Sequence, residues 1–292
     1  MHLFVQGCIL GILIGGVYAL MSSGLTLVFG IMRVINVAQG AMVILGAYLS
    51  YSLLKTLHVD PFLSILILAP AMFGLGVGLH RLFIRSLRGQ NAEELSLLVT
   101  WATALAVEGI LSVAYTTNLR STITSYSQRS WVVGGYRIPQ VRVYGFALSV
   151  AVLVGLYLLL SRTRFGRSVR ATVQNVTSAK LLGVNADRVS ALGFGIGVMT
   201  AAAAGTVYGM IYPFNPGSHY DLISRLLSIV VLGGLGSIGG AVVASLILGV
   251  AESVVAVTVS PTWSSFVFFI VLIGVLLLRP QGLFGVRERG LA

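Results

Sequence analysis

Charge is scarce in this chain. Of its 292 residues, 9% are charged and 57% hydrophobic, and the mean hydropathy is +0.96. A soluble domain carries roughly 25% charged residues. So little polar side chain cannot cover a water-facing surface, which excludes a soluble globule, and so much apolar side chain excludes a disordered chain. Acids are the scarcest: 8 Asp and Glu stand against 19 Lys and Arg, for a net charge of +11. No basic cluster sits on a polar domain, so nucleic acid is not an expected partner. The single Cys8 forbids an internal disulfide and a thiolate metal site. His2, His58, His80 and His219 are scattered singly, without metal-ligand spacing. Neither H-E-x-x-H nor a G-x-x-x-x-G-K-[ST] phosphate loop occurs. No catalytic residue, metal or cofactor is expected, and the chain is not expected to cradle nucleotide itself.

Long apolar runs dominate what is present. A spanning helix needs about 20 mostly apolar residues. The candidates are Leu3–Gly30, Val37–Leu54, Pro61–His80, Leu95–Tyr115, Val143–Leu160, Val189–Tyr212, Leu226–Val257 and Trp263–Leu278. They are too long and too evenly apolar for barrel strands, and lipid offers the backbone no other partner than itself. The expected class is an all-α, polytopic membrane protein forming one transmembrane domain over residues 1–292. The first run extends far beyond a signal-peptide core and has no Lys or Arg ahead of it, so it reads as a retained first span. The 35 glycines suit helices whose backbones approach closely.

Two runs are over-long. Leu226–Val257 would measure about 48 Å as one helix, and its middle, LGGLGSIGG (Leu232–Gly240), cannot hold a stiff helix. It is expected to break. Leu3–Gly30 is interrupted by Gly15, Gly16, Gly24 and Gly30, and either a broken helix or a close-packed crossing accounts for it. Broken helices near both ends of the chain point to inverted repeats around a midplane pathway.

The loops carry the sidedness. Arg81–Glu94 and Ser161–Arg188 are basic and are placed in the cytoplasm. Thr116–Arg142 then falls outside, and its alternating WVVGGYRIPQVRVY suggests a short hairpin. Counting single passes puts both termini outside, yet Arg279, Arg287 and Arg289 at the tail prefer the cytoplasm. Within residues 161–188, Val169, Val173, Val176 and Lys180 recur at helical spacing. Gly183 is a helix stop and Asn185 a cap for the next helix. A short amphipathic helix of this kind lies on lipid or in a partner's groove.

Intramembrane polar groups come next. Glu108 and Glu252 lie within spans, where a charge costs roughly 2.5–3.5 kcal/mol. Each either lines the pathway or is a hydrogen-bonded structural carboxyl, the structural reading being the stronger for Glu252. Asn36 and Gln39 stand beside Gly40 at a helix start, where free N–H groups meet a substrate carboxylate or are simply capped. The run Ala201–Gly205 signals tight packing. Pro213–Gly217 reads as an external turn.

These residues carry a resemblance over nearly the whole chain. RATVQNVTSAKLLGVNADRV (Arg170–Val189) looks like the cytoplasmic coupling loop of ABC importer permeases. The stretch Gly30–Gly40 with Gly46-Ala47-Tyr48, the stretch Val231–Ala241, and Arg279-Pro280-Gln281-Gly282-Leu283-Phe284-Gly285 are similar to three motifs of the LivH-type permeases of branched-chain amino acid importers. The chain departs from the family at Gln39, where His is common, and at Ala244, where Gly is common. The resemblance implies two ATPase subunits, a second permease of the LivM type, a periplasmic or extracellular solute-binding protein, and residence in a bacterial inner membrane. It implies a coupling surface built from Arg167, Arg170, Ala171, Asn175, Ala179, Leu182, Gly183 and Asn185. The pathway candidates are Asn36, Gln39, Gly40, Glu108, Gly233, Gly234, Gly236 and Glu252. The implied cargo is a branched-chain amino acid, with urea or short amides as the alternative within the family. An ion-coupled secondary transporter is the rival outside it.

Overall fold

A computed structural model describes residues 1–85, 87, 92–278 and 282–284. The architecture is all-α. The helices are α1 (His2–Met32), α2 (Gln39–Leu57), α3 (Pro61–Leu79), α4 (Ala92–Tyr115), α5 (Gln140–Arg162), α6 (Arg164–Gln174), α7 (Val176–Leu181), α8 (Ala186–Ile211), α9 (His219–Gly233), α10 (Ile238–Thr258), α11 (Pro261–Ser264) and α12 (Phe266–Leu278). Eight of these segments are long and apolar enough to cross a membrane. The expected hairpin exists as β1 (Ser130–Val133) paired antiparallel with β2 (Tyr136–Pro139), although the chain beyond Pro139 is already helical.

The bundle has two distinguishable ends. At one, His2 stacks on Tyr136, Gln6 exchanges hydrogen bonds with the backbone of Arg137, and Tyr126 donates to Asp60. This far end therefore holds the N-terminus, the α2–α3 connection and residues 116–139. At the other, α3 closes in a π-turn (His80–Ile84) and Arg85 pairs with Asp187 at 3.6 Å. The end of α1 shares a cavity there with Thr172–Val176. This basic end holds α6 and α7.

The first over-long run is one unbroken helix. Its glycines serve a crossing with the antiparallel α10: a Cβ on Gly7, Gly11 or Gly15 would press within 2.4–2.9 Å of backbone atoms of residues 245–254. The reading of a discontinuous first helix is thereby corrected. The second over-long run does break, but the break is not at the midplane. Gly234 and Gly236 adopt φ of 94° and 84°, a region that side-chain-bearing residues avoid. They turn the chain at the basic end, where Gly236 lies against Gly30.

This turn resolves the sidedness conflict. Helix α9 brings the chain back toward the basic end before α10 leaves it. Among the described residues the passages are therefore odd in number, and Leu283 lies at the basic end, where its N donates to Leu232 O at 2.7 Å. Arg279, Arg287 and Arg289 themselves lie outside the described residues.

The core is centred on α8, which packs against α1, α2 and α3. The expectation of tight packing at Ala201–Gly205 holds: all five are buried, and a Cβ on Gly205 would meet Val43 O at 2.0 Å. The single amphipathic helix expected within 161–188 is instead two, α6 and α7. Asn175 divides them because its extended backbone ends α6 while its side chain accepts from Ser178 N to start α7.

Candidate functional site

Two helices begin inside the bundle. After α1 ends at Met32, residues 33–38 climb inward, so that α2 starts in the interior. Gln39 Nε2 donates to Gly197 O at 3.1 Å and Met21 O at 3.4 Å. Gly197 lies about 17 Å along α8 from its basic end. Neither Asn36 nor Gln39 caps the helix by a side chain. Asn36 donates to Gln39 Oε1 at 3.3 Å, and its own Oδ1, fully buried, has no hydrogen-bond partner among the described residues.

Helix α9 starts inside the bundle from the opposite direction. Beyond α8 the chain is pinned by paired backbone hydrogen bonds between Phe214 and Arg120, each 2.8 Å. Phe214 is fully buried against Tyr48, with Gly209 making room for it. Pro213 is exposed, and the buried Phe214 ring anchors the segment 213–217. Asn215 and Ser218 bind one another to open α9. The two helix starts meet, because a Cβ on Gly40 would come within 2.7 Å of His219 O.

Glu108 joins this junction from α4. Its Oε2 accepts from the Tyr220 hydroxyl at 2.8 Å and lies 3.9 Å from His219 Nε2. Tyr220 packs between the rings of His219 and Trp101. Trp101, Tyr220 and Asp221 are exposed, and Glu108 is half-buried. These groups lie within the apolar depth of the bundle, where acids facing lipid are strongly disfavoured. This face must therefore meet water or another protein.

Glu252 has a different environment. Arg225 on α9 is ion-paired to it, Tyr18 donates to its Oε2 at 2.9 Å, and Arg225 also reaches the Tyr18 hydroxyl at 2.9 Å. The guanidinium lies over Phe268 of α12 and donates to Ser265. The cluster ties α1, α9, α10 and α12 together, and it forms part of the wall of a 330 Å³ cavity with Arg142, Tyr208 and Tyr212. Glu252 thus both holds these helices together and faces the cavity.

The structure thus brings Asn36, Gln39, Gly40 and Glu108 together. It leaves Glu252 in its own cluster and places Gly233, Gly234 and Gly236 at the basic-end turn, where a Cβ on Gly233 would strike the backbone of Gly240 at 2.5 Å. His219, Tyr220, Asp221, Tyr18 and Arg225 were missed. The apolar run starts only at Leu226, so HYDLISR falls between two candidate spans. Its signal was a titratable string directly after Asn-Pro-Gly-Ser, a helix-opening sequence.

Comparison with known proteins adds the family. Residues 8–276 match the model of the branched-chain amino acid transport system permease component. The chain belongs to this family. Over 98% of its length it is 32% identical to the high-affinity branched-chain amino acid transport system permease protein BraD of Pseudomonas aeruginosa, covering 97% of that protein. It is 31% identical to LivH of Escherichia coli, with 98% and 96% covered. A more distant relative is the autoinducer 2 import system permease protein LsrC of Yersinia enterocolitica, 34% identical over 44% of the chain and 38% of LsrC. No solved structure matches.

In this permease the family motifs fall on distinct parts. The Asn36–Gly40 stretch is the inward-climbing start of α2. The glycine stretch is the turn before α10, and Gly282 and Leu283 of the terminal motif fasten onto it. Arg279, Pro280, Gln281 and Gly285 lie outside the described residues. Of the two departures, Gln39 supports the interior junction and Ala244 is fully buried in α10. On the 161–188 segment Arg167, Arg170, Asn175, Leu182, Gly183 and Asn185 are exposed, Ala171 is half-buried and Ala179 buried. Gly183 stops α7 at φ 82° and Asn185 caps α8 through Arg188 N, as expected. Leu181 and Leu182 protrude, 85% and 82% exposed.

Proposed function

We propose that this permease is the membrane conduit of an ATP-driven importer of amino acids, most specifically branched-chain ones, in the cytoplasmic membrane. The observation that carries the reading is the acidic and aromatic face of α4 and α9 at membrane depth. A lone chain cannot leave that face against lipid, but a second permease chain set against it would enclose a polar path. The basic end is cytoplasmic by the positive-inside rule. There, α6 and α7 form the handle through which two separate ATPase subunits move the conduit, while a binding protein delivers cargo at the far end. The full-length similarity to BraD and LivH supports the cargo class.

Reconstitution tests this. The chain alone in liposomes should take up no leucine. With a LivM-type permease, ATPase subunits and a loaded binding protein, uptake should follow ATP. Uptake by the chain alone under an ion gradient would establish the secondary-transporter reading instead.

The protruding leucines test the handle. Exposed leucines at a water-facing end suit insertion into a partner's groove. Leu181→Asp with Leu182→Asp should leave the chain folded, since both side chains lie outside the core, and should cut leucine-stimulated hydrolysis and uptake at least about tenfold, the usual scale of a lost interface anchor. Full uptake by the double variant would remove α7 from the coupling role. Gly183→Asp is a poorer probe because its left-handed backbone would be strained as well.

A further inference from the structure

We propose that the groove between α1, α5, α6 and α10 at the basic end binds an anionic phospholipid, with an acyl chain in the groove and the phosphate held by Arg33 and Arg170. The site is separate from the acidic face of α4 and α9, and it does not depend on which cargo the permease carries.

Two adjoining cavities make the site. The larger, 680 Å³, is mostly apolar. Helix α1 packs against both α5 and α10, so Leu27 and Ile31 form its floor, with Leu156 and Leu160 of α5 on one side and Ile238 of α10 on the other. Its α5 wall, from Leu153 to Ser161, runs about 12 Å, within the roughly 15 Å that one leaflet contributes to the hydrocarbon core. The smaller cavity, 340 Å³, shares Gly30, Ile31, Val173 and Gln174 with the larger and adds Arg33 and Asn175. It is the polar end. Arg170, on the wall of the larger cavity, stands one turn of α6 before Gln174.

Charge selects the occupant. Among the described residues neither cavity is lined by an acid. Arg33 is exposed, and no ion pair among the described residues engages it or Arg170. Arg170 gives one N–H to Leu160 O, and a guanidinium has five to give. Arg162, Arg164 and Arg167 are exposed around the same end, while Asp187 is paired with Arg85. Arginines at the mouth of an apolar groove complement a phosphate joined to a hydrocarbon chain. Lipid tails gain no hydrophobic driving force by leaving bulk bilayer, so the groove fixes where a lipid sits and the arginines choose which lipid. A partner's spanning helix does not fit. It is about 10 Å across, and α6 lies over the basic end of the groove, where Val169 packs with Leu27, Ile31 and Leu156.

The complete transporter, stripped of lipid in detergent and titrated with dioleoyl phosphatidylglycerol or dioleoyl phosphatidylethanolamine, tests the site by native mass spectrometry. Arg33→Gln should weaken phosphatidylglycerol binding about fivefold, the scale of one arginine beside an anionic headgroup. Arg33→Gln with Arg170→Gln should weaken it more than about tenfold, with phosphatidylethanolamine binding unchanged. Gly239→Phe probes the groove itself. Gly239 lines the larger cavity, and nothing among the described residues lies within 4 Å of a Cβ there, so the ring fills the groove without striking protein. This variant should assemble and hold one lipid fewer per copy of this chain, of either kind. A wild-type lipid count in Gly239→Phe overturns the proposal, and so does an unchanged preference for phosphatidylglycerol in the double arginine variant. If Arg170→Gln fails to assemble, Arg33→Gln alone decides, because its side chain is exposed and unpaired among the described residues. Full displacement of the lipid by inorganic phosphate would mark a site for a free anion instead. Loss of the lipid when the ATPase subunits join the permease pair would mark a surface covered by protein. Either result also overturns the proposal.

Discussion

Arg225→Met is expected to cost the folded permease roughly 3–5 kcal/mol, the usual penalty for stripping one partner from a buried ion pair. Glu252 would be left with the Tyr18 hydroxyl as its only hydrogen-bond partner among the described residues, in a site that is 7% exposed. The loss should appear as a lower unfolding temperature in detergent and as an early shift to aggregate on size-exclusion chromatography. The double replacement Arg225→Met with Glu252→Met should recover at least half of the loss, because it removes both charges and leaves apolar volume between α9, α10 and α12. A double variant no more stable than the single one would show that the pair is not the unit of stability. The α9 anchor would then have to lie in Ser265 and Phe268.

Gly205→Val is the second large effect. The position meets backbone on every near side: Val43 O at 2.0 Å, Val43 C at 2.9 Å and Ala47 N at 3.1 Å from a Cβ placed there. Backbone atoms cannot rotate away as a side-chain tip does, so α2 must be pushed off α8. We expect a cost of about 3 kcal/mol, the upper end for overpacking. The displacement should also break the contact of Gln39 with Gly197, so uptake should fall even where some folded protein survives. Gly155→Ala in α5 is the control, since no atom of the described residues lies within 4 Å of a Cβ there. It should be neutral or stabilising by up to about 1 kcal/mol, the helix-propensity gain. Equal behaviour of the two variants in a thermal melt would refute the close-approach account of α8.

The pattern of agreement with the sequence has physical reasons. Seven of the eight membrane-spanning segments had counterparts close to the apolar runs because lipid enforces a length and a composition on every residue of a full span. The hairpin, the Gly183 stop and the Asn185 cap were legible because each depends on a few adjacent residues. Helix α9 was not. It is short, begins with charge and titratable side chains, and is held by residues as distant as Tyr18 and Glu252. No window along the chain contains its reason for being helical. The Glu108 junction was half legible: the carboxylate was conspicuous, but its partners lie on α9, more than a hundred residues later. The first helix shows the opposite case. Its glycines read equally as breaks or as contacts, and only the presence of α10 on that face decides between them.

The brevity of α9 bears on how the newly made chain acquires its topology. Helices α8 and α10 point the same way, and what reverses the chain between them is a 15-residue helix carrying Asp221 and Arg225. A translocon that admits segments by apolar length, one after another, has little ground for accepting it. The place of α9 in the bundle depends instead on contacts with Tyr18 of α1 and Glu252 of α10, so a chain stopped before α10 should hold residues 212–233 less firmly than the whole permease.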